Sequence, residues 1–232
     1  KKGKMNAKIT KSVFDFLSDL KENNNRDWFQ ANKERYIENH QIVIRFADDL
    51  VELMNKHDNI ETVSGKKSLY RMYRDVRFSK NKAPYKTHWG GILTRATKYL
   101  RGGYYFHIEP GNCFVGGGFW KPNPEDLKRI RENIALDGSE LRSVLSEKEF
   151  KTNFGELMGD KVKTAPQGYK RNHPEIELLR FKQFLTMKSF TDKEALSENF
   201  AGQVVSTFCA MRPFFDYMSE VLTTDSNGEP LI

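Results

Sequence analysis

Cysteine is nearly absent from this chain: among 232 residues only Cys113 and Cys209 occur, 96 positions apart. That spacing excludes a disulfide framework, a C-x-x-C redox motif and a cysteine-built zinc site, and it makes a reducing, cytoplasmic setting the expectation. Long apolar runs are missing too. No stretch approaches the ~18 residues of a membrane span, so no membrane partner is expected. Residues Lys1 to Lys11 lack the apolar core of a signal peptide. Met5 reads as the natural start, and the four residues before it are left out of the fold argument. Internal repeats and low-complexity tracts are absent. Gly116-Gly117-Gly118 fits neither GxxxxGK[ST] nor GxGxxG, and Ser79 lies outside any G-x-S-x-G elbow, so neither a P-loop nor an activated serine is indicated. Aromatics, by contrast, are plentiful at 12%, with 17 Phe, which suits a folded core rather than a disordered chain.

Charge is the uneven property. The segment Lys66–His88, KKSLYRMYRDVRFSKNKAPYKTH, holds eight of the 38 basic residues and one acid, Asp75. It alone carries +7, the net charge of the whole protein, while the rest of the chain balances. Tyr70, Tyr73, Phe78 and Tyr85 interleave with the cations. A localised excess of this kind points to an anionic partner.

The periodicity organises the chain as helices, strands, then helices. Val13, Phe16, Leu17 and Leu20 recur at helical spacing behind Thr10 or Ser12 as cap. Asn23-Asn24-Asn25 breaks that helix. A long helix is expected from about Arg26 to Lys56, with Phe29, Tyr36, Val43 and Leu50 forming one stripe with His40, Ala47 and Met54. His40 on this stripe reads as a satisfied core histidine. After a polar link, His57–Lys67, the period becomes two. Ser68–Phe78 is read as a half-buried strand, with Arg71, Tyr73, Asp75 and Arg77 on its polar face and Arg74 in a buried pair on the other. Asn81–Lys86 is a loop. Strands follow at Thr87–Thr97, Gly103–Glu109 and Cys113–Phe119, the last two joined by a type II turn at Glu109-Pro110-Gly111-Asn112. Asn123 caps the next helix. Shorter helices are expected at Glu140–Leu145, Glu147–Phe154 and His173–Phe181, and a final one over Ser197–Leu222 is kinked or split at Pro213. The fold class is α+β: an antiparallel meander of about four strands in the middle of the chain, covered by N-terminal and C-terminal helices. A single domain over residues 10–222 is expected, with flexible tails at 1–9 and 223–232.

Five strings in order, NNRDWFQANKERY (Asn24–Tyr36), RMYRDVRFSKNKAPYKTH (Arg71–His88), GGYYFHIEPG (Gly102–Gly111), GGGFWKPNPEDLKRIR (Gly116–Arg131) and TAPQGYKRNHPEIELLRFK (Thr164–Lys182), resemble the family named domain of unknown function 2461. The resemblance spans Val13 to about Pro213. It implies one α+β domain of about this length. It brings no reaction, cofactor or catalytic residue with it.

The candidate site therefore rests on chemistry. Arg71, Tyr73, Asp75, Arg77, Lys80, Lys82 and Lys86 form a ligand-binding set, with Arg forks for phosphate or carboxylate oxygens and Tyr73 for stacking. The competing reading is an ion-paired sheet face. His107 and Glu109 share one strand face by alternation, and His88 joins them if the strands pair. Such a trio can bind a divalent metal, or the His/Glu pair can move a proton. H-x-E on a strand is common, and a surface histidine beside an exposed glutamate explains it as well. These three are catalytic candidates, with no metal and no cofactor assigned. The leading expectation is a domain that binds a phosphate-bearing or other anionic ligand, nucleic acid or nucleotide favoured. One alternative is an enzyme on a small anionic substrate. Another is an interaction module for an acidic protein. Oligomeric state is not legible.

Overall fold

Three successive asparagines end the first amphipathic stretch, and each finds a different partner. In the computed structural model, which describes residues 7–225 and 228–231, α1 (Lys11–Glu22) buries Val13, Phe14, Phe16, Leu17 and Leu20. Thr10 holds the cap position, but its hydroxyl bonds Ser12 instead of a backbone amide. Asn23 returns its amide to the Asp19 carbonyl. Asn25 caps α2 (Arg26–Ala31) by accepting from the Trp28 N–H at 2.9 Å. Asn24 reaches away to residue 85. The long helix expected from Arg26 is broken at Asn32, whose side chain bonds back to the Trp28 carbonyl, and α3 (Lys33–Met54) starts there.

A short α4 (Gly65–Ser68) follows. The sheet comprises β1 (Trp89–Thr94), β2 (Gly103–Ile108), β3 (Cys113–Phe119) and a later β4 (Phe184–Phe190), with α5 (Pro124–Leu136), α6 (Ser139–Ser146), α7 (Lys148–Phe154) and α8 (Ile176–Leu179) between β3 and β4. After β4 come α9 (Asp192–Ala195) and α10 (Phe200–Thr223), which continues through Pro213. The strands pair in the order β1-β2-β3-β4, an antiparallel meander, so the α+β class holds. Its membership differs from expectation. Ser68–Phe78 is no strand, and β4 supplies the fourth position.

The chain divides into two compact units. The first comprises Lys1–Leu93, Tyr105–Val115 and Ser189–Ser206. Its core packs Phe46 flat on Phe200, with ring centroids 5.4 Å apart, and edge-on to Phe106 at 6.0 Å. The second comprises Thr94–Tyr104, Gly116–Lys188 and Thr207–Ile232. There Tyr104 packs against Phe208 and Phe215, each at 5.1 Å. Arg95, whose side chain is 1% exposed, pairs with Asp216 and reaches the Arg101 carbonyl. Gly117 lies against the Phe215 ring, and Gly116 and Gly118 against the β4 backbone. Of the tails, residues 1–6, 226, 227 and 232 lie outside the described residues. Ile9 is buried, and Thr224 pairs with Pro230. Among the described residues, no helix is long and apolar enough to cross a membrane.

His40 is half-buried on α3, and its Nδ1 accepts from the Trp89 indole N–H at 3.2 Å. Burial first, then Lys66, holds its pKa below the usual 6.5. The unfolded chain takes up this proton as pH falls through 6.5, and the folded chain does not. The residue is therefore neutral to stability above that pH and destabilising below it. His40→Gln keeps an acceptor for Trp89. We expect it to flatten the fall in Tm as pH is lowered from 6.5; a slope equal to that of the wild type would contradict the assignment.

Candidate functional site

The basic segment folds as two arms that meet only at isolated points. Leu69 bridges Gly91, and Tyr73 bridges Tyr85. Four steps along one arm thus match six along the other, so the returning arm carries a two-residue bulge. Thr87 and His88 fall there, at a bend just before β1. Bulges break a ladder and re-aim side chains, which is why the period-two pattern of Ser68–Phe78 does not become a strand. Asn24 clamps the same arm in both directions: its Nδ2 donates to the Tyr85 carbonyl at 3.0 Å, and its Oδ1 accepts from the Tyr85 N–H at 3.1 Å.

The bulge delivers its two residues to the polar face of β2. The Thr87 hydroxyl donates to Glu109 Oε1 at 3.0 Å, and the His88 ring stacks on His107 at 4.1 Å. On its other face His107 stacks on Phe114 at 4.5 Å. His107 Nε2 meets Glu109 Oε2 at 3.1 Å, and its Nδ1 meets the Tyr105 hydroxyl at 2.9 Å. A carboxylate only accepts, so the proton sits on Nε2 and Tyr105 donates to Nδ1. Gly90 makes room for this chain, because a Cβ there would lie 2.7 Å from the Tyr105 oxygen. Asn112 donates to Glu109 Oε2 at 2.8 Å. The turn that carries both is closed by Asn112 N–H to the Glu109 carbonyl at 3.0 Å and pinned by Gly111 N–H to Asp192 at 2.8 Å. His107 is 7% exposed, which corrects the reading of a surface histidine, and Glu109 is half-buried.

Burial, then neighbouring His107, drives the His88 pKa down to about 4. Burial also lowers that of His107, against the pull of Glu109. Burial acts to raise Glu109, but bonds from Asn112, His107 and Thr87 outweigh it and hold the carboxyl below its usual value. Burial, helped by Tyr70 and Glu109, pushes the Tyr105 phenol up to about 12. At neutral pH the cluster is thus two neutral imidazoles, one carboxylate and one intact phenol. A cavity of about 270 Å³ is lined by Thr87, Glu109, Pro110 and the α1 residues Leu17, Ser18, Lys21 and Glu22.

The seven ligand-binding candidates separate. Asp75 and Arg77 pair with each other at 2.7 Å in an exposed turn instead of sharing a sheet face, and Arg77 lies over Phe78, which is 96% exposed. Lys82 donates to the carbonyls of Val76 and Arg77 at 3.0 and 3.3 Å. Lys80 is exposed in the same loop. Tyr73 packs on Tyr85 and Phe29 while remaining half-exposed. Arg74 donates to the Ala83 carbonyl at 2.9 Å, not to a buried carboxylate. Lys86 instead approaches the β2 cluster, and Arg71 lies near enough to act on both Lys86 and Asp75. Lys86 lies over the Tyr70 ring at 5.3 Å, and Tyr70 packs against Tyr105 at 6.3 Å. Burial and then Arg71 lower the Lys86 pKa, and Lys86 in turn contributes to lowering that of His88. Tyr70, Tyr105, Thr87 and Asn112 escaped the sequence reading. Tyr105 stands two residues before His107 in β2, where alternation reaches it, but the bulge that brings Thr87 has no sequence signal. Cys113 is buried with its pKa raised to about 11, and Cys209 is half-buried.

A meander flanked by helices, with a polar cluster on one strand and a basic arm bulged toward it, defines an α+β protein with one candidate site in its first unit. The chain matches the family described as Conserved hypothetical protein (DUF2461) over residues 12–217, and it belongs to that family. Searches of curated proteins and of solved structures gave no match.

Proposed function

We propose that this protein binds a phosphate-bearing ligand, nucleotide or nucleic acid favoured, with Arg71 and Lys86 as its cationic contacts and Tyr70 as an aromatic platform. One observation carries the reading. Arg71 is close enough to add to the effect of burial in lowering the Lys86 pKa, and although Arg71 also acts on Asp75, among the described residues neither cation stands at ion-pair distance from a carboxylate. Two like charges held together destabilise each other, and an anion between them relieves the repulsion while accepting charge-assisted hydrogen bonds. Asp75, Arg77 and Lys82 already satisfy one another or the backbone, so they supply field more than contact.

A thermal-shift panel tests this: inorganic phosphate, pyrophosphate, mononucleotides, a single-stranded oligonucleotide and an acidic peptide, at two salt concentrations. A ligand at 100 times its Kd stabilises the folded state by about 2.7 kcal/mol. We expect phosphate-bearing compounds to raise Tm. For an oligonucleotide held by two phosphates, log K should fall against log salt with a slope of about −1.4. A panel in which only the peptide acts would contradict the reading and support an acidic protein partner.

The hydrogen-bonded series Tyr105–His107–Glu109 favours a second reading, in which the bound anion is also a substrate and the His/Glu pair moves a proton. It expects a ligand from the panel to be chemically altered on incubation and to be returned intact by His107→Gln. Ligand unaltered by the wild type would contradict it.

A further inference from the structure

His88, His107 and Glu109 present ligand atoms that all lie within 4.8 Å of one another, although they come from a bulge, a strand and a turn. We propose that these three side chains bind one divalent first-row transition-metal ion of the zinc, cobalt or nickel kind, through a ring nitrogen of His88, Nε2 of His107 and Oε2 of Glu109. The inference is independent of the phosphate reading. The donor set decides the class of metal: imidazole suits zinc, copper, iron and nickel, whereas magnesium and calcium take oxygen ligands.

The geometry fits. Metal–ligand bonds of roughly 2.0–2.2 Å set two donors on one ion about 3.0–3.5 Å apart. His107 Nε2 and Glu109 Oε2 already stand at 3.1 Å. The His88 ring, stacked on His107, has to turn out of that stack so that a nitrogen faces the ion, and it sits half-buried at a bend, where a side-chain rotation supplies that movement. The supporting groups are also those a metal site uses. Ligating histidines bond a polar group through their other nitrogen, and ligating carboxylates are themselves hydrogen-bonded. Here Tyr105 meets His107 Nδ1, while Thr87 and Asn112 hold the two oxygens of Glu109. Binding moves the imidazole proton from Nε2 to Nδ1, where the Tyr105 oxygen accepts it, and frees the Nε2 lone pair for the ion. The proton count does not change. Three protein ligands leave at least one position open, the pattern of a reactive rather than a purely structural site, and the cavity that includes Thr87 and Glu109 offers a route in.

The test uses chelator-dialysed, tag-free protein with no anionic ligand present, so its failure would leave the phosphate reading standing. Zn(II) is titrated in competition with a chromophoric chelator, and Co(II) binding is followed by its d–d absorption. We expect one ion per chain. His88→Phe, which keeps the ring stack, and Glu109→Gln, which keeps the acceptor for Thr87, should each weaken binding by about 100-fold or more, and Tyr105→Phe by about tenfold. His57→Ala and His173→Ala should bind as the wild type does. Independently of any variant, Zn(II) should shift the NMR imidazole signals of His88 and His107 in the wild type. Absence of stoichiometric binding, binding that survives in folded His88→Phe and Glu109→Gln, or shifts confined to the other histidines would overturn the proposal.

Discussion

Replacing Arg71 and Lys86 together with alanine is expected to weaken binding of a phosphate-bearing ligand by about a thousandfold. Each charged group contributes roughly 1.5–3 kcal/mol through its hydrogen bonds to an anion, so losing two removes about 4 kcal/mol. Arg77→Ala is the matched control. It deletes one exposed cation of the same segment, but that cation is engaged with Asp75, and its loss should change affinity less than about threefold. The double variant should fold normally, because Arg71 is exposed and Lys86 gives up only a partly exposed contact with the Tyr70 ring. Isothermal titration of the three proteins with the strongest ligand from the thermal-shift panel separates the cases. Equal losses in the double variant and in Arg77→Ala would mean that the segment acts as a diffuse charge and not as a site.

The second large effect is on stability. Gly118 lies in β3 with φ +128°, and a Cβ there would stand 2.1 Å from the Phe184 carbonyl oxygen in β4. Gly118→Ala therefore meets two costs at once. The backbone region is one that L side chains rarely adopt, worth about 1–3 kcal/mol. The clash is with backbone, which cannot swing aside, and adds about 1–3 kcal/mol. A loss of about 4 kcal/mol is expected by denaturant unfolding, a large part of the ~5–15 kcal/mol that holds a typical domain together. Gly111→Ala is the comparison. It too has positive φ, but nothing lies within 4 Å of its Cβ, so a smaller loss is expected. Equal losses at the two positions would show that strain alone, and not β3–β4 pairing, sets the effect.

These two sites also show what was legible in the residues. The stripe of α3, the turn at Glu109–Asn112 and the pairing of β2 with β3 follow from periods and turn chemistry, and all three appear in the fold. The fourth strand does not announce itself. Phe184, Thr186 and Phe190 are buried on one side of β4, but Thr186 and Lys188 interrupt the apolar row, so the alternation is blunted. Conversely, Ser68–Phe78 alternates well and is not a strand, because the arm it pairs with carries two extra residues. That bulge is a long-range property. It is also what turns His88 and Thr87 toward β2, so the part of the site that alternation alone could reach was His107 with Glu109 and Tyr105. Charge counting singled out the basic segment, but not which of its cations are already engaged. Arg77 and Lys82 look the same as Arg71 and Lys86 in the sequence and differ only in their neighbours.

The proposed function requires an anion to bind between Arg71 and Lys86 and not along the exposed turn. Its most direct test is a titration of isotope-labelled protein with pyrophosphate, following backbone and side-chain NMR signals residue by residue. Saturable shifts are expected at Tyr70, Arg71, Lys86 and Tyr105, with Arg77, Lys80 and Lys82 moving little. Shifts that concentrate on Arg77, Lys80 and Lys82, or that never saturate, would contradict it.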